Sequence, residues 1–376
     1  MNITRAITRK IQDKLTSGKV LVILGARRTG KTCLIREIIK QTNIPYLMLN
    51  GEDFRVAAQL ENKGIEEYRQ RVGNKKLLII DEAQKIKNIG KILKLMIDEI
   101  EGLTILATGS SAFDISQKLG EPLTGRNISY NLFPIAQCEL SETENKIETA
   151  SNLEQRLIFG TYPELLNLPD FVSKQEYLSE LVNSYLLKDI LELDSIKNAS
   201  KILNILRLLA FQTGSEVSFS EIAQKVALSR NTVERYIDLL EKTFIIFKVG
   251  GYSRNLRKEV TKNSKYYFVD NGIRNAVISN FNTPELRNDI GQLWENYIIS
   301  ERVKYLSYNK TPHNSFFWRT YDQQEIDWIE ERDGKLFAYE IKYSRSGTKI
   351  PKAWKEAYPE SEFNVITKDN YLDFVV

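Results

Sequence analysis

The first third of the chain alternates short apolar runs with amphipathic stretches. The runs are VLVILG at 20–25, YLMLNG at 46–51, LLIID at 77–81, TILATGS at 104–110 and ISYNLF at 128–133, with CLIREIIKQT and KILKLMIDEI among the segments between them. Nearly continuous hydrophobicity over so few residues predicts strands buried on both faces, and alternation with helical periods predicts a parallel sheet with helices on either side. After Pro134 the period becomes 3.6, over 151–159, 173–193 and 199–212, which puts a boundary near 135–150. Residues 217–270 read as a pair of short helices followed by two strand-like segments. Residues 285–376 begin with a helix and continue into a hairpin turned at Arg332-Asp333-Gly334. The expected division is 1–140, 141–215, 216–275 and 276–376, with no internal repeat or low-complexity tract.

Composition narrows the chemistry more than the fold. The 376 residues exceed one average domain of about 150, and 27% charged with 42% hydrophobic residues is ordinary for a globular chain. Lys and Arg number 53 against 49 Asp and Glu, a net +4 that permits a nucleic-acid partner without requiring one. Two cysteines, Cys33 and Cys138, and a single His313 exclude a disulfide framework, a Cys-rich zinc site and His-based catalytic triads. Any metal must then be held by oxygen. No apolar run approaches the roughly 20 residues of a membrane span, and the first residues lack a secretory signal, so a cytoplasmic setting without a membrane partner is expected.

Gly25-Ala26-Arg27-Arg28-Thr29-Gly30-Lys31-Thr32 fits G-x-x-x-x-G-K-[ST], with an apolar strand before it and an amphipathic helix after it. Glycines there let backbone N–H groups wrap a polyphosphate at a helix N-terminus. Lys31 would reach the β and γ oxygens, and the Thr32 hydroxyl would complete a Mg²⁺ shell. Gly25, Arg28, Thr29, Gly30 and Cys33 complete the expected nucleotide contacts, Cys33 as a small packing residue just past the loop. Lys75-Lys76-Leu77-Leu78-Ile79-Ile80-Asp81-Glu82 is a second buried strand that delivers two carboxylates at its C-terminal end, where ligands sit in open α/β sheets. Asp81 would support Mg²⁺ and Glu82 would polarise the attacking water. Alone, the two acids would serve equally as an N-terminal charge pair for a helix. Thr108 and Ser110 end the next strand, either beside the γ-phosphate or as caps for the following helix.

These residues resemble the AAA-type P-loop ATPases, in which a water-activating Glu follows the Walker B Asp. The resemblance implies the sheet order 5-1-4-3-2. It also suggests that Arg126, after the sensing strand, touches the γ-phosphate of its own or a neighbouring subunit, which admits a homo-oligomer. A surface arginine opening strand five is the other reading. Arg27 and Arg28 would add positive potential or point to solvent.

Phe219 to Leu240 has the period of two helices joined by a tight turn, with Ser229 placed to cap the second. Ile222, Ala223, Val226, Val233, Ile237 and Leu240 form the apolar face, leaving Arg230, Asn231 and Arg235 as major-groove readers in a winged-helix arrangement. Lys248, Arg254, Arg257, Lys258, Lys262 and Lys265 against Glu259 make a basic stretch suited to the phosphates of double-stranded DNA. Packing beside an ATPase domain is the competing role.

In the C-terminal hairpin, Glu325-Ile326-Asp327-Trp328-Ile329 faces Lys335 to Tyr343. Period-two alternation puts Glu340 and Lys342 on one face, and a register exists that adds Asp327. This D-x12-E-x-K pattern resembles the PD-(D/E)xK nuclease fold, with Glu295 matching the helix glutamate that often precedes it. Ile326-Asp327 stands where the Pro-Asp would be. Glu295, Asp327 and Glu340 would bind Mg²⁺, and Lys342 would steady a hydroxide. A solvated charged face is the alternative.

Taken in order, these motifs resemble a bacterial and archaeal ATPase family in which an AAA-type domain precedes a C-terminal domain of unknown function with a restriction-endonuclease-like core. The fold expected is an α/β P-loop NTPase domain, a helical segment with a winged helix, and an α+β nuclease-like domain. The function expected is ATP-driven switching of a DNA-associated C-terminal half. An ATP-regulated Mg²⁺-dependent nuclease and a DNA-binding regulator with an inactive nuclease-like core are the alternatives.

Overall fold

The computed structural model describes residues 3–110, 123–186, 199–253, 264–344 and 347–376. Ser111, the end of the 173–193 helical stretch, and the basic residues Arg254, Arg257, Lys258 and Lys262 lie outside them. The first part runs α1 (Thr8–Gln12), β1 (Val20–Leu24), α2 (Lys31–Lys40), β2 (Tyr46–Asn50), α3 (Phe54–Leu60), α4 (Ile65–Val72), β3 (Leu77–Asp81), α5 (Ile89–Glu99), β4 (Thr104–Gly109) and β5 (Asn127–Asn131). The strands form a parallel sheet in the order β2-β3-β4-β1-β5, which is the order expected.

Alternation sorts the strand residues between two cores. Val20, Val22 and Leu24 turn toward Tyr68, Val72, Leu93 and Met96, whereas Leu21 and Ile23 meet Ile11, Leu34, Ile35 and Ile38 on the other face. Each such aliphatic side chain removed from water contributes about 1.5–3 kcal/mol, so the three central strands anchor the domain. One expectation fails here. The run 46–51 is not buried on both faces: β2 is an edge strand whose Tyr46 and Met48 are exposed.

The chain continues through α6 (Gln137–Leu140), α7 (Lys146–Phe159), a 3-10 turn at Pro163–Leu166, α8 (Phe171–Glu180), a π-helical turn at Leu181–Leu186, and α9 (Ala199–Phe211). Then come β6 (Glu216–Val217), α10 (Phe219–Val226), α11 (Arg230–Lys242), β7 (Ile246–Gly251), β8 (Ser264–Phe268) and α12 (Asn271–Val277). Ser229 caps α11 as its position predicts, its hydroxyl accepting from Thr232 N–H at 3.1 Å. The apolar face of the helix pair is buried, and Arg230, Asn231 and Arg235 are exposed.

The last part is α13 (Ile290–Asn309), β9 (Asn314–Arg319), β10 (Glu325–Arg332), β11 (Lys335–Ile341), α14 (Lys352–Ala357), β12 (Glu362–Ile366) and α15 (Leu372–Val375). Its strands do not form a sheet of their own. Among the described residues they join the preceding hairpin in one seven-stranded sheet, β12-β11-β10-β9-β7-β8-β6, through the parallel pairs Gly250↔Phe316 and Gly251↔Phe317. The sheet therefore runs across the expected division at 275/276. No helix is long and apolar enough to cross a membrane among the described residues.

Candidate functional site

The loop between β1 and α2 opens at the C-terminal edge of the first sheet, where parallel strands leave a crevice for ligands. Gly25 has no substitute there, because a Cβ would stand 2.2 Å from the Leu132 carbonyl oxygen. Within the loop, Thr29 turns its hydroxyl inward to donate to Ala26 O at 2.8 Å. The Lys31 ammonium, almost fully buried, donates to Gly25 O at 2.9 Å and Ala26 O at 3.2 Å and lies 3.8 Å from the Glu82 carboxylate. Arg27, Arg28, Gly30, Lys31, Thr32, Cys33, Asp81 and Glu82 line a cleft of about 490 Å³, closed on its far side by Pro163, Glu164 and Tyr177.

Thr32 donates its hydroxyl to Asp81 Oδ2 at 2.7 Å, and Thr108 donates to Asp81 Oδ1 at 2.5 Å. Thr108 also accepts from the Glu82 N–H at 3.0 Å. Glu82 takes a left-handed backbone (φ 51), which swings its side chain out of the strand direction and into the cleft. Gln84 then donates to Glu82 Oε2 at 2.6 Å and to Ser110 Oγ at 3.0 Å. Thr108 thus meets the cleft through the Asp81 carboxylate, and Ser110 through the Gln84 amide that engages Glu82. The hydroxyl of Thr32 beside the Asp81 carboxylate is a hard oxygen pair that suits Mg²⁺.

Two expectations are corrected. Cys33 is exposed at the cleft and not packed. Arg126 does not meet the loop of its own chain and takes the other of its two readings, a surface arginine opening strand five. It precedes β5, its carbonyl accepts from Val20 N–H, and its guanidinium pairs with Asp98 at 2.5 Å. The parallel register of β5 with β1 puts it at the opposite end of the sheet, five residues or about 17 Å from the phosphate loop.

Behind the loop sits Arg5, which no motif marks. Its buried guanidinium donates to Thr29 O at 2.8 Å, Phe133 O at 2.6 Å and the Tyr308 hydroxyl at 3.2 Å, and pairs with Glu139 at 3.0 Å. Burial would favour losing its proton, but the Tyr308 and Glu139 oxygens hold its pKa above the ordinary value. Beneath the 160–164 turn, the buried Asp270 accepts from Thr161 N–H at 2.7 Å and Ile273 N–H at 3.2 Å. Gly160 (φ 71) lets that carboxylate approach; a Cβ there would lie 2.0 Å from Asp270 Oδ1.

The C-terminal residues also come together, with partners the sequence did not reveal. The β9–β10 register steps from Ile326↔Trp318 to Ile329↔Phe316, an extra residue on β10 that turns Asp327 toward β11, where it accepts from Ile341 N–H at 2.8 Å. Lys342 pairs with Glu340 at 2.6 Å and lies 3.9 Å from Asp327. Glu295, near the start of α13, accepts from the Tyr267 hydroxyl at 2.7 Å. Lys265 stands 3.7 Å from Glu295 and forms an ion pair with Glu325. Burial, reinforced by Asp327, pushes the Glu295 carboxyl up to about 8. Burial opposes charge on Lys265, but Glu295, Asp327 and Glu325 hold its pKa above the ordinary value. Buried at 1% exposure, Lys265 is not available to a DNA phosphate, contrary to its expected place in a basic stretch.

This cluster does not fit the expected metal. Mg²⁺ takes oxygen ligands at about 2.0–2.1 Å in near-octahedral array. Here Lys265 stands beside Glu295 and Glu325, and Lys342 beside Glu340 and Asp327; Glu340 Oε2 alone among these oxygens is buried without a hydrogen-bond partner, and no group of three acidic, His or Cys side chains closes on a metal position among the described residues.

One family model spans the first cleft. Residues 17–141 match the AAA domain family AAA_14, residues 150–284 a domain of unknown function (DUF8612), and residues 290–374 a domain of unknown function (DUF4143). An uncharacterized protein of Methanocaldococcus jannaschii is 26% identical over 94% of this chain and 82% of its own length. One of Haemophilus influenzae is 27% identical over 95% of this chain and 88% of its own. Among solved structures, a Walker-type ATPase of Pyrococcus abyssi aligns at 16% identity over 72% of this chain and 94% of its own, with a TM-score of 0.48. RuvB of Thermotoga maritima aligns at 15% over 66% and 90%, with a TM-score of 0.33. By these family models, residues 17–141 are similar to AAA_14 P-loop ATPase domains and residues 290–374 to the DUF4143 region.

Proposed function

We propose that the protein binds and hydrolyses ATP in the cleft at residues 25–32 and that the nucleotide cycle acts as a switch on its C-terminal half. One observation carries the reading: the Lys31 ammonium, the Thr32 hydroxyl and the Asp81 and Glu82 carboxylates line a single cleft at the strand ends. With triphosphate bound, Lys31 exchanges the Gly25 and Ala26 carbonyls for β and γ oxygens. Thr32 and Asp81 would hold Mg²⁺, which neutralises the charge developing on the transferred phosphoryl group. Thr108 keeps the Asp81 carboxylate oriented. Glu82, steadied by Gln84, accepts a proton as water oxygen bonds to the γ-phosphorus and the bond to the β-bridging oxygen breaks, releasing ADP and phosphate.

Two contacts support the switch. Arg5 links Thr29 of the loop to Tyr308 of α13, and Pro163 and Glu164 line the cleft two and three residues beyond the Thr161 amide that Asp270 holds. Motion of the loop or of the 160–164 turn would reach the second sheet through either. The exposed Arg230, Asn231 and Arg235 of α11 support a DNA-facing role for that half.

Calorimetry on Lys31→Met and phosphate release by Glu82→Gln test the reading together. The first should lose nucleotide binding. The second should bind ATP and lose turnover. Unchanged ATP affinity in Lys31→Met would overturn it.

A further inference from the structure

We infer that Lys265 is a tethered cation standing where the carboxylates of the C-terminal core would otherwise take a divalent metal, so that this core is a metal-free salt cluster and not a hydrolytic centre.

Strand geometry makes the placement specific. All five residues of β8 are buried, and alternation sends Tyr266 into the core with Ile222, Val233 and Ile237 while Lys265 and Tyr267 face α13 and β10. Both reach Glu295, one with an ammonium 3.7 Å away and the other with a hydroxyl at 2.7 Å. Lys265 also engages Glu325 and sits 5.2 Å above the Phe317 ring, whose face favours a cation. Three elements distant in sequence, β8, α13 and β10, therefore converge on one nitrogen.

Charge accounts for why it stays there. A buried ammonium or carboxylate is tolerated only when paired. Glu295, Glu325, Asp327 and Glu340 carry four negative charges at most, and Lys265 and Lys342 return two, with the Arg319 guanidinium 3.6 Å from the outer oxygen of Glu325. A divalent ion entering among Glu295, Asp327 and Glu340 would meet a fixed positive charge that cannot diffuse away. Lys342, on the strand end, is over a third exposed and can move aside; Lys265 is closed in. The cluster instead fastens the β7–β8 hairpin to the C-terminal strands beside the short β7–β9 junction. The inference stands apart from the nucleotide cleft, since none of these residues lines it.

The test is metal binding by the full-length protein, nucleotide-free and with Asp81→Asn to silence the first cleft. Free Mn²⁺ is counted by electron paramagnetic resonance. The parent should show no saturable Mn²⁺ site that Asp327→Asn removes. Lys265→Met should gain one, binding at least about tenfold more tightly than any site of the parent and lost again when Asp327→Asn is added. If Lys265→Met folds only with Mn²⁺ present, its melting temperature should rise with Mn²⁺ while that of the parent does not. A parent that already binds one Mn²⁺ through Asp327 overturns the inference, as does a folded Lys265→Met that binds no more than the parent.

Discussion

Glu82 is held in a left-handed backbone, engaged by Gln84 and near Lys31, so its carboxylate is aimed before any nucleotide arrives. Preorganisation of this kind means that substituting the group costs turnover without costing binding: Glu82→Gln should lower the ATPase rate by roughly 10²–10⁴-fold while calorimetric ATP affinity stays near that of the parent. A second residue reports through pH. Burial pushes the Glu241 carboxyl on α11 up to about 7, with Lys248 opposing and Asp238 adding to the shift. The folded protein thus holds that proton more tightly than the unfolded chain. The sign follows: the contribution is full below the ordinary carboxylate pKa of 4.5, and it is lost as pH rises through 7. Glu241→Gln should flatten that fall and, at pH 8, stabilise the protein by on the order of 1–3 kcal/mol, read as urea midpoints at pH 5 and pH 8.

Among elements, α13 does the most connecting. Glu295 near its start belongs to the salt cluster, Asn296 bonds both Phe268 N–H and Phe268 O, Glu301 accepts from Gln137 N–H, and Tyr308 near its end meets Arg5 behind the phosphate loop. Thirteen residues at 1.5 Å each make a span of about 20 Å. Arg5→Met leaves Glu139 buried without its guanidinium and unties Thr29 O, so it should cost about 3 kcal/mol or more and weaken ATP binding together with stability. Tyr308→Phe removes the hydroxyl that accepts from both Arg5 and the Phe133 N–H, leaving Arg5 paired with Glu139, so it should lower ATP affinity and cost about 1–3 kcal/mol of stability, less than Arg5→Met. The α10–α11 pair carries a separate expectation. Arg230→Glu with Arg235→Glu should abolish a salt-dependent duplex mobility shift if that face meets DNA, and leave the ATPase rate unchanged.

At the scale of the whole molecule, local patterns were the legible part. The phosphate loop, the Asp81-Glu82 strand end and the Ser229 cap each sit within a few residues of the sequence that specifies them, so strand order and first cleft followed from motif and periodicity. Edge position is invisible to hydrophobicity, which is why the 46–51 run reads as buried and is not. Arg126 follows the right strand in the chain, but a parallel β5 brings it in at the far end of the sheet. Lys265 and Glu325 are 60 residues apart and joined only by a bulge and a sheet that crosses the expected boundary. Arg5 carries no pattern at all. That same sheet gives a prediction: removing residues 285–376 strips β7 of its β9 neighbour and Arg5 of Tyr308, so the shortened protein should bind ATP more weakly and expose the Val249–Tyr267 surface to a hydrophobic dye.

The Arg5 knot also orders events in time. Residue 5 leaves the ribosome first among its partners and Tyr308 last, so a nascent chain carries the whole phosphate-loop motif for most of its synthesis before the hydroxyl that completes the clasp emerges. Full nucleotide affinity should mature late in translation, and products terminated before Tyr308 should hold ATP less tightly than the longer chain.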